Sequence, residues 1–342
     1  MSDPYLTSEI PGIGGHTRVM PEDFQVDEQP LYLPCGTGEH LYITVTKRLL
    51  STPDLIKILS TGLGLKAQEI GTAGLKDARA VTTQMLSLHL ATPDQLARLK
   101  PDERILSIEV LGRHRNRLRP GHHRGNRFRL VIRNVMDNAR SAVTESLRIL
   151  EHRGVPNYFG PQRQGKAGDN YKIGATLLTD ARRRSAMSRS KRIWYLNTYQ
   201  SHLFNRILAR RIDRLDRVLT GDWAMKLENG ACFQVEDAEI EQARADRFEI
   251  SPTGLLFGSR VSWAGEEPGQ IEESVMAEEG MTKDVLIAAG KACGFRGERR
   301  PLRVPLADLE WSLDGSVLTL AFTLPPGAYA TNVLRELMKT GE

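Results

Sequence analysis

The sequence predicts an α/β fold of about two domains. Three observations carry that reading. The chain has 342 residues, and ~150 residues is a typical domain. Strand and helix signals alternate over residues 1–150, as in α/β folds. The composition, 40% hydrophobic and 26% charged, is that of an ordinary globular protein. It excludes a disordered chain, a collagen-like repeat and a disulfide mini-scaffold.

His40–Thr46 alternates and is rich in β-branched residues, so it predicts a strand. Thr52-Pro53-Asp54 predicts a helix start with Thr52 as N-cap. Leu55, Ile56, Ile58 and Leu59 supply the buried stripe, and Gly62 the stop. Glu69–Gly74 leads through Leu75-Lys76-Asp77-Ala78-Arg79 into a second strand, Val81–Leu90, with Gln84, Leu86, Leu88 and Leu90 on one side. Ile105–Leu111 and Arg127–Arg133 predict two more strands. In the latter, Phe128, Leu130 and Ile132 share one face while Arg127, Arg129 and Arg133 share the other. Ala139, Ala142, Val143, Leu147 and Leu150 recur at helical spacing, closed by Gly154. Gly154-Val155-Pro156 is the expected domain boundary. Beyond it come a helix over Thr198–Leu215 and a hairpin turning on Asn229-Gly230. A second turn at Asp314-Gly315 precedes a strand over Val317–Leu324, and a helix carrying Val333, Leu334, Leu337 and Met338 follows. This last strand and helix are expected to rejoin the sheet of the first domain.

Charge is distributed unevenly. Lys plus Arg number 47 against 42 Asp plus Glu, a net +5. Yet Arg113–Arg133 holds eight arginines (113, 115, 117, 119, 124, 127, 129 and 133), three histidines and no acid. A second acid-free cluster contains Arg182, Arg183, Arg184, Arg189, Lys191 and Arg192. Arginine grips phosphate with a planar fork and stacks on bases, so such clusters are the footprint of a nucleic-acid binder. No apolar run reaches the ~18 residues of a membrane span, and Met1-Ser2-Asp3-Pro4 is no secretory head. Cys35, Cys232 and Cys293 form no metal-ligand spacing, and an odd count fits a reducing cytoplasm.

The sharpest local feature is Gly71–Gln84, which places Asp77 in a short loop between two strands with Lys76 and Arg79 as neighbours. The loop suits an ionised nucleophilic carboxylate; equally, it suits a turn aspartate in a surface salt bridge. Gly160–Ala167 matches a phosphate loop through Lys166, but Ala167 stands where Ser or Thr must bind magnesium, so a nucleotide-triphosphatase is excluded. Asn157, Tyr158, Phe159, Gln162 and Arg163 suit either stacking with RNA or packing between domains. His122-His123 has no metal-ligating partner nearby in the sequence, and no acidic cluster suits the magnesium of a nuclease.

An ordered set of segments resembles the TruD family of tRNA pseudouridine synthases. It comprises Pro21–Glu28, Gly38-Glu39-His40, Gly74–Gln84, Gly125-Asn126-Arg127-Phe128, Val155–Arg163, Gln200–Asn205 and Leu324–Leu337. The resemblance implies a pseudouridine-synthase catalytic domain (α+β) with a mixed, largely antiparallel sheet, interrupted by a family-specific α/β insertion. Residues 1–154 would start the catalytic domain, 155–305 form the insertion, and 306–342 complete the catalytic domain. The implied reaction converts a uridine of tRNA, position 13 in this family, to pseudouridine, with no cofactor and no metal. Asp77 matches the catalytic aspartate, which either attacks C1′ or assists an elimination. Phe24, Asn126 and Tyr329 match positions that hold the target nucleotide, and Tyr329 would lie beside Asp77. Lys76 would help to keep the aspartate ionised. Arg113, Arg115, Arg117, Arg119, Arg124, Arg127 and Arg129 are the expected RNA contacts. The implied partner is tRNA, with no protein partner and no membrane. The rival is a non-catalytic RNA-binding or ribosome-assembly factor on the same fold. Gln164 replaces the family's usual Phe, and at 329 some members have Phe.

Overall fold

The computed structural model describes residues 3–165 and 168–340; Met1, Ser2, Lys166 and Ala167 therefore lie outside the described residues. In chain order the first strands are β1 (His16–Thr17), β2 (Phe24–Pro30), β3 (His40–Arg48), β4 (Ile70–Thr72), β5 (Val81–His89), β6 (Ile105–His114) and β7 (His123–Arg133). Helices α1 (Thr52–Leu63) and α2 (Pro93–Ala97) are interleaved, and α3 (Ala139–Arg153) follows. The middle of the chain contributes β8 (Val155–Pro156), α4 (Asn170–Thr179), α5 (Ala181–Ser185), α6 (Arg189–Arg211), β9 (Trp223–Lys226), β10 (Cys232–Gln234), α7 (Ala238–Asp246) and β11 (Ile250–Leu256). After α8 (Glu266–Glu278) and α9 (Lys283–Cys293) come β12 (Glu298–Pro301), β13 (Arg303–Val304), β14 (Ala307–Asp314), β15 (Val317–Leu324) and α10 (Ala330–Met338).

Contacts divide the chain into two compact units. Of the described residues, the sheet unit comprises 13–141, 306–328 and 340, and the second unit comprises 3–12, 142–165, 168–305 and 329–339. The division falls inside α3, earlier than the Gly154 expected from sequence. The closing segment also splits. Strands β14 and β15 join the large sheet as expected, whereas α10 belongs to the second unit. There Thr7 donates its backbone N–H and its hydroxyl to the Glu336 carboxylate.

The large sheet runs β14-β15-β7-β2-β5-β3-β6, with β1 on β7 and β4 on β5. All its pairings are antiparallel except β2 with β5. It is thus mixed and largely antiparallel. Helix α1 is N-capped by Ser51, whose side chain accepts the Asp54 N–H, one residue before the expected cap. It runs through Gly62 and stops at Gly64 in the left-handed conformation. Leu55, Leu59 and Leu63 then pack on Leu41, Ile43, Val45, Leu86 and Leu88 of the sheet.

One row across that sheet reads Phe322, Phe128, Val26, Thr82 and Lys47, each paired to the next. The neighbouring register aligns Leu324 with Asn126 and Asn126 with Glu28. Gly125 is required at this edge because a Cβ there would meet the Leu324 carbonyl oxygen at 2.3 Å. Two strand backbones cannot separate without losing their ladder. Gly125→Ala should therefore cost about 1–3 kcal/mol, read as a lower urea midpoint; an unchanged midpoint would show that the strands can part.

The second unit has its own four-stranded sheet, β10-β9-β11-β12. Its core gathers Leu177, Leu196, Tyr199 and Leu203 from α4 and α6 with Leu255, Phe257, Val275 and Leu286. Helix α6 begins nine residues before the expected Thr198, and Arg211 at its end forms a buried ion pair with Asp222 at 2.9 Å. No described helix is long and apolar enough to cross a membrane.

Candidate active site

Asp77 lies in the loop between β4 and β5, its side chain half-exposed at 47%. The loop is fixed from below by groups on four segments. The Lys76 N–H donates to the Thr52 hydroxyl at 2.9 Å, and that hydroxyl donates to Gln84 Oε1 at 2.9 Å. Lys76 turns inward and pairs with Glu28 at 2.6 Å, both side chains almost fully buried. Glu28 Oε1 also accepts the Met85 N–H at 3.1 Å, so one carboxylate ties the loop to β2 and β5. Lys47 is wholly buried. Its ammonium donates to the Leu50 carbonyl at 2.5 Å and to the Asp77 carbonyl at 3.4 Å.

This corrects the expectation for Lys76. Its charge is committed to Glu28, and the cation at the Asp77 carboxylate is Arg18, at 3.6 Å. The Arg18 guanidinium also stands 4.0 Å from the centroid of the Phe24 ring. Phe24 itself is only 2% exposed, with the Phe128 ring edge-on against it at 6.3 Å. Arg79 is exposed.

Asn126 on β7 presents a buried Oδ1 with no hydrogen-bond partner among the described residues, as does His123 with Nδ1. Burial, with the charge of Lys76, holds the His123 imidazole below its ordinary pKa and so neutral near pH 7. An orphaned buried acceptor is costly and suits a ligand N–H. Tyr329 is placed in the second unit, at the N-cap of α10, where its ring centroid lies 6.5 Å from that of Phe159. Arg163 and Arg300 stand 4.6 and 4.0 Å from the centroid of the Phe159 ring.

The arginine run is less uniform than its sequence suggests. Arg127 pairs with Glu310 at 2.9 Å, and Arg133 forks onto the buried Asp23. Arg113 and Arg117 donate to the Ala91 and Ile70 carbonyls. Arg115, Arg119, Arg124 and Arg129 are exposed, and no side-chain ion pair or hydrogen bond within the described residues engages them. Among the described residues no group of three or more His, Cys, Asp or Glu is placed to hold a metal.

Four supporting residues were not singled out from sequence: Arg18, Glu28, Lys47 and Thr52 in its loop-holding role. A signal existed for two of them. Leu41, Ile43, Val45 and Lys47 share one face of β3, and Phe24, Val26 and Glu28 one face of β2, so period two alone puts both charges inside. Arg18 carried no such signal.

Burial lowers the Lys47 pKa to about 8, with Lys76 adding to the fall and Asp77 opposing it. Its unfolded value is ~10.5. Between those values the unfolded chain binds the extra proton, so the contribution of Lys47 to stability rises with pH. Activity should move oppositely. Deprotonation weakens the hold on the Asp77 backbone, so kcat should fall through pH ~8, whereas Lys47→Arg should shift that limb to higher pH. Lys47→Met should lower kcat about tenfold, the worth of a charged hydrogen bond. Superimposable pH–kcat profiles for the parent and Lys47→Arg would remove Lys47 from the loop's control.

Comparison with known proteins agrees with this architecture. The profile of the family described as tRNA pseudouridine synthase D (TruD) matches residues 2–189 and 185–337. A tRNA pseudouridine synthase D of Anaeromyxobacter dehalogenans is 45% identical, over 98% of this chain and 96% of that protein. That of Thermus thermophilus is 42% identical, over 98% and 92%. A Methanosarcina mazei chain solved under the TruD name superposes with a TM-score of 0.81 at 26% identity, covering 99% of this chain and 96% of its own. On these grounds the chain belongs to the tRNA pseudouridine synthase D (TruD) family.

Proposed function

We propose that this chain converts uridine 13 of tRNA to pseudouridine, in the cytoplasm, with Asp77 as the catalytic carboxylate. The observation that carries the reading is the placement of Asp77, whose carboxylate stays open to solvent while the backbone on either side is pinned to buried groups. A surface turn aspartate has no need of such support. The non-catalytic reading accounts for none of it, and the relatives are named as synthases.

In the reaction the C1′–N1 bond breaks, the freed uracil turns, and a C1′–C5 bond forms. The C5 hydrogen leaves as a proton and N1 gains one, so no oxidant, reductant or group donor is consumed. Asp77 meets the sugar carbon or assists its elimination. The Arg18 guanidinium stands 3.6 Å from the Asp77 carboxylate. Asn126 Oδ1 suits the N3–H of uracil, an everted base being read by such bonds and by rings. Phe24 is the wall of this site on β2, and the family position assigns Tyr329 to the nucleotide as well. We assign the catalytic domain to the sheet unit and the family insertion to residues 155–305. The exposed arginines 115, 119, 124 and 129 take phosphates.

The test is tritium release from tRNA carrying C5-tritiated uridine. Release mapped to position 13 is expected from the parent, and loss of release with retained tRNA binding from Asp77→Asn; substantial release by that variant would remove Asp77 from the mechanism. For the arginines, Arg119→Gln with Arg124→Gln should flatten the log–log salt dependence of tRNA affinity by about 0.7–0.9 per lost phosphate contact. An unchanged slope would place those two side chains away from RNA.

A further inference from the structure

The second unit carries a basic stretch that the reaction leaves unexplained. No acid occurs between Asp180 and Asp213, and the two halves of this segment are treated differently. Along the later half of α6 the cations are neutralised from other elements. Arg206 pairs with Glu278 and Glu279, Arg210 with Glu278 at 2.6 Å, and Arg211 with Asp222. At its start, Arg189 and Lys191 are exposed, and no ion pair within the described residues engages Arg189, Lys191 or Arg192.

The same stretch displays Trp194, 49% exposed. It lines a concavity of about 330 Å³ with Arg163, Asn197 and Thr198. Lys191, Trp194, Asn197 and Thr198 follow one another at helical spacing on α6. Arg163 reaches the same hollow from the Pro161–Gln164 turn. Helix and turn are joined where Gln164 Nε2 donates to the Thr198 carbonyl at 3.3 Å. An exposed indole, an amide and the Arg163 cation around one hollow, with Lys191 one turn earlier on the same helix, are the parts of a single-stranded nucleotide site, where a ring carries the base and basic groups carry the backbone.

We propose that this hollow binds an unpaired nucleotide of the RNA substrate, distinct from the uridine that is isomerised, with the base stacked on Trp194 and the adjoining phosphates on Arg163 and Lys191. Asn197 is the group placed to hydrogen-bond the base edge. The inference rests on the RNA-modifying reading above and adds to it a second contact point in the other unit.

The experiment compares the parent with Trp194→Ala and Trp194→Phe, using a tRNA transcript. Trp194→Ala should raise the Kd about tenfold, the range of one lost base stack. The loss should fall on KM rather than kcat in the tritium-release assay, and Trp194→Phe should recover most of it because a ring face is restored. A Kd for folded Trp194→Ala within twofold of the parent would overturn the proposal, leaving the ring to a protein partner. Should Trp194→Ala fail to fold, fluorescence decides. The emission lost on going from parent to Trp194→Phe belongs to Trp194, and it should be quenched on titration with the transcript; unquenched emission overturns the proposal. A parent that binds the transcript but releases no tritium would sink the isomerase reading while leaving this stacking test intact.

Discussion

The buried pair of Lys76 with Glu28 is the interaction on which the Asp77 loop depends. Two charges taken out of water are costly, and attraction offsets the loss only where geometry is good and the remaining lone pairs are used. Here the contact is 2.6 Å and Glu28 Oε1 accepts the Met85 N–H, while Glu28 Oε2 meets the Lys76 ammonium as an ion pair without a well-directed hydrogen bond. The gain is register more than stability. Glu28 follows directly on the parallel seam between β2 and β5, which ends at Asp27, and lies opposite Asn126 on β7. The pair therefore locks the Asp77 loop to the strand that adjoins the uracil-binding candidate, and a slip of β2 by one residue would turn Glu28 outward.

The sheet beneath the loop changes character along its strands. Toward α1 its face is apolar: Leu41, Ile43, Val45, Leu86 and Leu88. Toward the loop the same face continues through Lys47, Thr82, Gln84, Glu28 and Asn126, nearly all buried. Polar groups buried in this way must be bonded or reserved for a ligand. Lys47, Gln84 and Glu28 are bonded through the loop and the Ser51–Thr52 turn. Asn126 Oδ1 has no hydrogen-bond partner among the described residues, and neither do Thr82 Oγ1 and Gln84 Nε2, so this strip holds several unsatisfied polar atoms beside the bonded ones.

Much of this was legible in the sequence, and the exceptions have physical causes. Strands β3, β5 and β7 alternate clearly, and Gly154 and Asn229-Gly230 end or turn elements where their backbone freedom predicts. Strand β2 went unread as a strand because Phe24–Pro30 is mostly polar; it is central yet carries Asp27, Glu28 and Gln29, and neighbouring strands and buried ions stabilise it. The Lys76 side chain was assigned to its sequence neighbour Asp77, but successive side chains in extended backbone point to opposite sides. A long-range partner, Glu28, took it. Helix α6 starts early because Arg189–Trp194 is a solvent-facing turn whose cations hide the helical pattern. The paired arginines 127 and 133 could not be told from the exposed ones, since their acids, Glu310 and Asp23, lie far away in the chain.

What the site gains from this arrangement is a carboxylate whose position does not depend on its own charge. The anchors of the loop are the Lys76 N–H, the Lys76 ammonium and the Asp77 carbonyl oxygen, and none uses the Asp77 side chain. That side chain makes one ion pair, at 3.6 Å, with a partly exposed arginine. In the proposed reaction the Asp77 carboxylate passes from ion to ester, or to partner of a passing cation, and back. A loop held by the carboxylate would relax at each change and carry a reorganisation cost into the barrier. A loop held by backbone and by a neighbouring buried pair stays preorganised throughout. The fold places its buried charges beside Asp77 rather than on it, which leaves the Asp77 carboxylate free for the role proposed for it.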